Sequence, residues 1–130
     1  MHKKDFEKWS FAKKDIHEKR KNNWVRERDI WWCQLGINIG YEQDGTSENF
    51  ERPVIIIKTF SKFSCLIVPL TTSSKENKFY FNVGMIDGKD ASAIISQIRL
   101  IDTRRMEEKV GKLNMEIYEK LKKSIQSMIE

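Results

Sequence analysis

Apolar residues in the middle of this chain gather in short β-branched and aromatic runs, whereas at both ends they recur at helical spacing among charges. Five runs read as strands: Ile30 to Leu35, Val54 to Phe60, Ser64 to Leu70, Lys78 to Val83 and Ser92 to Ile101. Turn-forming residues bound them: Gly36 with Gly40, Asp44-Gly45-Thr46-Ser47, Thr72-Ser73-Ser74 and Asp87-Gly88. No helical period separates one run from the next, which excludes a βαβ architecture and predicts a small, mostly antiparallel barrel or sandwich. Residues 5 to 22 contain no Pro or Gly and place Phe6, Trp9, Phe11 and Ile16 among charges, the pattern of an amphipathic helix with a thin apolar stripe. At the other end Asn114 suits a helix N-cap. Ile117, Leu121, Ile125 and Met128 then repeat on one face, predicting a C-terminal helix laid on the barrel.

With 130 residues the chain fits one domain, and the break in composition near residue 23 divides it. Residues 1–23 read as a basic helical extension and residues 24–130 as the barrel with its helix. The net charge of +5 lies wholly in the leading segment: residues 1–28 hold ten Lys or Arg against five Asp or Glu, and the remainder holds fourteen of each. Such an arm attracts polyanions, nucleic acid first among them, and is equally consistent with a solvated helix. The longest apolar runs fall well short of a membrane span, and the charged stretch Met1 to Lys8 is unlike a signal peptide, so a cytoplasmic protein is expected. Cys33 and Cys65 lie in apolar strand-like runs without CxxC spacing and read as reduced core residues.

The inventory of catalytic groups is short. Both histidines, His2 and His17, sit in the leader, carboxylates show no ligand spacing, and no Gly-rich loop opens a helix. No metal site and no cofactor is therefore expected. What remains near the turns is Arg, Thr, Ser and Gln, side chains suited to holding phosphates.

Three segments carry more: Gly40-Tyr41-Glu42-Gln43-Asp44-Gly45 leading to Arg52-Pro53-Val54-Ile55-Ile56-Ile57, then Val68-Pro69-Leu70-Thr71-Thr72, then Ser96-Gln97-Ile98-Arg99. With Asp29-Ile30-Trp31-Trp32 ahead and Arg104-Arg105-Met106 behind, this ordered set resembles the MazF/PemK toxin family over roughly residues 26 to 129. The resemblance implies an SH3-like barrel with a C-terminal helix, a homodimer, a cognate antitoxin through whose complex DNA is bound, and metal-independent cleavage of single-stranded RNA. It implies a cleavage centre at Arg52 and Thr71, with Glu42 as a further proton-handling candidate. Gln43, Thr72, Ser73, Gln97, Arg99 and Trp32 are the expected RNA contacts.

Each residue also has a plainer reading. Arg52 could pair with Glu51 or Glu48 at the surface, Thr71 and Thr72 could simply end a strand, and Glu42 could be a solvated loop residue. Gln97 and Arg99 would alternate on one face of a strand, while Trp31 and Trp32 would point to opposite faces, one to the core. Two departures from the family pattern stand out. Arg28 replaces the Gly usual before the acidic residue of the first strand, and residues 46–51 lengthen the loop ahead of Arg52 with acidic side chains. The same barrel also fits a module that binds RNA or antitoxin without cutting. A CcdB-like gyrase poison fits less well, because the chain ends Ser127-Met128-Ile129-Glu130 where that relative carries Trp-Gly-Ile.

Overall fold

The computed structural model describes residues 24–36, 51–72 and 76–130. The expected N-terminal helix lies outside the described residues. Among the described residues seven strands form one curled sheet: β1 (Asp29–Gln34), β2 (Glu51–Ser61), β3 (Ser64–Thr71), β4 (Tyr80–Ile86), β5 (Lys89–Ile94), β6 (Arg99–Asp102) and β7 (Met106–Lys112). Their order is β4-β5-β3-β2-β1-β7, with β6 also paired to β3, and every pairing is antiparallel. A helix, α1 (Met115–Met128), follows β7.

The predicted run Ser92 to Ile101 is two strands. A 3₁₀ turn at Ile95–Gln97 interrupts it, so β5 meets β3 at Leu70 and Thr71 while β6 meets it at Ser64 to Ile67. Breaking the edge partner in two lets the sheet curl, because Ile95 turns into one core and Ile101 into the other. Gln97 therefore closes a 3₁₀ turn and Arg99 opens β6, and the two do not alternate along one strand. Strand β7, MEEKVGK, has no counterpart among the predicted runs. It is recruited by pairing with β1 rather than by its own apolar pattern.

Strand β2 is buried on both faces. Ile55 and Ile57 pack with Val68, Leu70, Leu121 and Ile125 beneath the helix, whereas Val54 and Ile56 pack with Cys33, Cys65, Ile67 and Met106 on the other side. Asn114 caps α1 by accepting from the Ile117 amide at 3.2 Å, as its position predicts. The helix is anchored by Tyr118, whose hydroxyl donates to the Ile57 carbonyl at 2.7 Å. Both cysteines are buried free thiols, in agreement with the sequence reading.

Arg28 takes the left-handed φ of 77° that a glycine would adopt more readily. Three hydrogen bonds hold it there: its amide donates to Ile56, its carbonyl accepts from Leu113, and its Nε donates back to the Leu113 carbonyl, all within 3.0 Å. The substitution at this turn thus leaves the chain path intact and adds a side-chain tie to the segment leading into α1.

Candidate active site

β2 and β3 pair with Val54 opposite Pro69 and Ile55 opposite Val68. Continued two residues, this ladder brings Arg52 opposite Thr71 at the sheet's end. Arg52 is 6% exposed and Thr71 8% exposed. The Arg52 Nη1 donates to the Leu70 carbonyl at 3.1 Å, so the guanidinium reaches across to the strand that carries Thr71. The guanidinium-bearing side chain is thus buried at the strand end and not laid out on the surface.

Arg52 and Thr71 line one pocket of about 200 Å³, together with Trp32, Pro53 and Thr72. Trp32 is half-buried and faces this pocket, while Trp31 lies in the core with its Nε1 donating to Asp29 at 3.3 Å. The two tryptophans divide between site and core as strand alternation requires. Asp29 is itself buried, and Lys109 and Lys112 of β7 approach its carboxylate at 3.3 and 3.8 Å, pinning the acidic start of β1 beside the late strand.

Gln97 and Arg99 are not among the residues that line the pocket. Arg99 lies with Arg105 close enough to Cys33 for both cations to be felt at that thiol. Burial dominates there and pushes the Cys33 pKa strongly upward. Arg105 donates from Nη1 to the Gln34 carbonyl at 3.2 Å, and burial draws its own pKa down. Arg104 holds Asp102 through a side-chain hydrogen bond at 2.7 Å, which lowers the Asp102 pKa. Glu42, Gln43 and Ser73 lie outside the described residues.

Two charged pocket residues to which the sequence reading gave no functional role are Asp87 and Lys89. They flank Gly88 in the hairpin between β4 and β5. Asp87-Gly88 reads in the sequence as turn chemistry alone, and only the pairing of β5 with Leu70 and Thr71 brings this turn over the pocket.

The sequence profile described as PemK-like, MazF-like toxin of type II toxin-antitoxin system matches residues 26–129. The chain belongs to this family. It is 28% identical over 112 residues to the Endoribonuclease EndoA of Bacillus subtilis (strain 168), covering 78% of this chain and 91% of that one. Its fold is similar to the crystal structure of MazF (Form-I) from Deinococcus radiodurans, with a TM-score of 0.66, 16% identity, and 82% and 98% of the two chains covered. It is also similar to a mycobacterial endoribonuclease in complex with its cognate antitoxin, with a TM-score of 0.62, 14% identity, and 82% and 95% coverage. The SH3-like barrel with a C-terminal helix, as the sequence implies, is this family's fold. Among the described residues no helix is long and apolar enough to cross a membrane.

Proposed function

We propose that this PemK-like, MazF-like toxin is an endoribonuclease that cleaves single-stranded RNA without a metal ion, with Arg52 and Thr71 at its cleavage centre. The observation that carries the reading is the shared pocket of Arg52 and Thr71, brought together from two strands at one end of the sheet. The relationship to an endoribonuclease over most of both chains supports the same activity.

RNA brings its own nucleophile. The 2′-OH attacks the adjacent phosphorus, the bond to the 5′-oxygen breaks, and the products are a 2′,3′-cyclic phosphate and a free 5′-OH. The protein must orient that hydroxyl and stabilise charge on the phosphoryl oxygens. Arg52 supplies a planar cation with several donors, and its tie to Leu70 fixes the plane. Its role is charge stabilisation, since a guanidinium with a pKa of ~12.5–13.8 supplies almost no neutral base near pH 7. Thr71 adds a hydroxyl that donates or accepts at the scissile phosphate. The half-buried Trp32 offers a ring for base stacking. Thr72, Gln97 and Arg99, with Glu42, Gln43 and Ser73 from outside the described residues, complete the RNA-contacting set.

The toxin works in the cytoplasm as a homodimer held in check by a cognate antitoxin, and residues 1–23 form a basic extension to the 24–130 domain. Incubating single-stranded RNA with the protein in EDTA tests the activity. Wild type should cut and Arg52→Ala should cut far more slowly, with cyclic phosphate at the new 3′ ends. RNA bound but left whole by the wild type would overturn the reading in favour of a binding module.

A further inference from the structure

Resting on the RNA-cleaving reading above, we propose that the Asp87–Lys89 hairpin reads one unstacked nucleobase beside the scissile linkage, a keto base (guanine or uracil) whose ring N–H lies next to a carbonyl.

The pocket's size and lining point to a single ring system. At about 200 Å³ it lies below the ~300–1,000 Å³ that enclose drug-sized ligands. Its apolar walls include Trp32, Pro53, Ile86 and Val110, and unstacked bases bind against such aromatic and aliphatic surfaces. The polar groups come from two places. Arg52, Thr71 and Thr72 stand at the ends of β2 and β3, where the phosphate chemistry belongs. Asp87 and Lys89 come from a separate element and are left for the base.

That element is held firmly. Asp87 and Gly88 have φ of 51° and 79°, the positive pair of a type I′ hairpin turn, whose twist matches its strands. Behind it a bulge between Asn82 and Gly84 bends β4. Asn82 accepts from the Gly84 amide at 2.9 Å and donates to both Asp90 oxygens at 3.2 Å. A carboxylate near RNA repels phosphates, so its place in this pocket calls for an N–H donor from the substrate.

Guanine and uracil present a protonated ring nitrogen beside a carbonyl. The carboxylate accepts from the first and the ammonium donates to the second. In the same placement adenine and cytosine set an unprotonated ring nitrogen against the carboxylate and an amino group against the ammonium, and they satisfy the pair only by sliding the amino N–H across to the carboxylate.

The test incubates a random-sequence pool of short RNAs with full-length wild type, Asp87→Asn and Lys89→Gln, and sequences both the cut ends and the RNA retained uncut. Asparagine tolerates positive φ as aspartate does, so Asp87→Asn preserves the turn while making its side chain both donor and acceptor. Wild type should favour guanine or uracil over adenine and cytosine at one position near the cut. Asp87→Asn should lose about tenfold of that preference, the size of one good base contact, and Lys89→Gln should lose less. The proposal is overturned if wild type shows no keto preference at any position, or if Asp87→Asn leaves the preference unchanged. If wild type cuts nothing, the nuclease reading fails on its own and the retained RNA still decides. Keto enrichment that vanishes in Asp87→Asn upholds base reading; retention without enrichment, or no retention at all, overturns it.

Discussion

Arg52 donates its Nη1 proton to the carbonyl oxygen of Leu70, 3.1 Å away and one residue before Thr71. The bond spans two neighbouring strands at the end of the sheet and couples the position of a cation to that of a hydroxyl. Neither side chain needs a loop to support it, because each belongs to a strand whose next apolar residues are fully buried. A site built on strand ends in this way is more precisely placed than one built on loops.

The first expected outcome concerns this pair. Arg52→Ala should lower RNA cleavage by roughly 10²–10³-fold, the usual effect of deleting a charge-stabilising donor. Arg52→Lys should keep the charge, lose the fork and recover part of the rate. Thr71→Ala should cost less than Arg52→Ala, since water can take the hydroxyl's place, and Thr71→Ser should be close to wild type. Single-turnover cleavage of a labelled RNA, alongside thermal melting of each variant, measures the order. Thr71→Ala falling below Arg52→Ala at equal stability would refute the assignment of roles.

Arg28 offers a test of strain against side-chain bonding. Arg28→Ala keeps the left-handed backbone but loses the bond from Nε to Leu113, so it should destabilise the fold by about 1–2 kcal/mol. Arg28→Gly loses the same bond yet relieves strain of roughly 1 kcal/mol, and should stay within about 1 kcal/mol of wild type. Urea denaturation of the two variants gives the comparison directly. Equal destabilisation by both would show that the φ of 77° carries no strain.

Alkaline conditions should weaken the fold in a defined window. Burial raises the Cys65 thiol from 9.0 to about 12 and the Tyr118 phenol from 10.0 to about 12. Both groups hold their protons more tightly when folded, so the unfolded chain ionises first as pH rises. Stability is therefore full below about pH 9 and falls progressively toward pH 12. Tyr118→Phe should flatten the upper part of that fall. At neutral pH it should cost about 1–3 kcal/mol by leaving the Ile57 carbonyl without its donor. Urea midpoints at several pH values between 8 and 11 provide the measurement.

The thiols make a further prediction. Cys33 and Cys65 are both 0% exposed, and burial raises both pKa values. Iodoacetamide at pH 8 should leave the native protein unlabelled and modify two sites in urea, as intact mass spectrometry would show. Rapid labelling of the native protein would contradict the packing of this core.

The parts of this structure that could be read from the sequence are those where local pattern and tertiary demand agree. Strands β1 to β3 are dense in β-branched residues and were bounded to within a few positions, and Asn114 marks the start of its helix. Strand β7 is different. Its residues Glu107, Glu108, Lys109 and Lys112 form no apolar stripe, and only pairing with β1 makes the segment extended. The split at Ile95–Gln97 was equally hidden, because Ile94, Ile95 and Ile98 suit a continuous strand as well as a turn between two cores. Within the site, Arg52, Thr71, Thr72 and Trp32 follow from the family pattern and share one pocket. Asp87 and Lys89 carry no catalytic signature of their own, and their position depends on which strand β5 joins.

Strand β2 reaches β3 through two irregularities, between Ile56 and Lys58 and between Thr59 and Ser61, so that Ile57 and Phe60 are each one residue more than the partner strand supplies. Both extra residues are taken up toward the Lys62–Phe63 turn, and beyond them the ladder runs in register through Ile56 opposite Ile67 to Val54 opposite Pro69. Deleting Phe60 should therefore take out one irregularity, leave those pairs as they are and keep Arg52 beside Thr71, so that RNA cleavage by the variant stays close to that of the wild type. The slack in the hairpin lies between its turn and the strand end that carries the guanidinium, and a change in length at one is absorbed before it reaches the other.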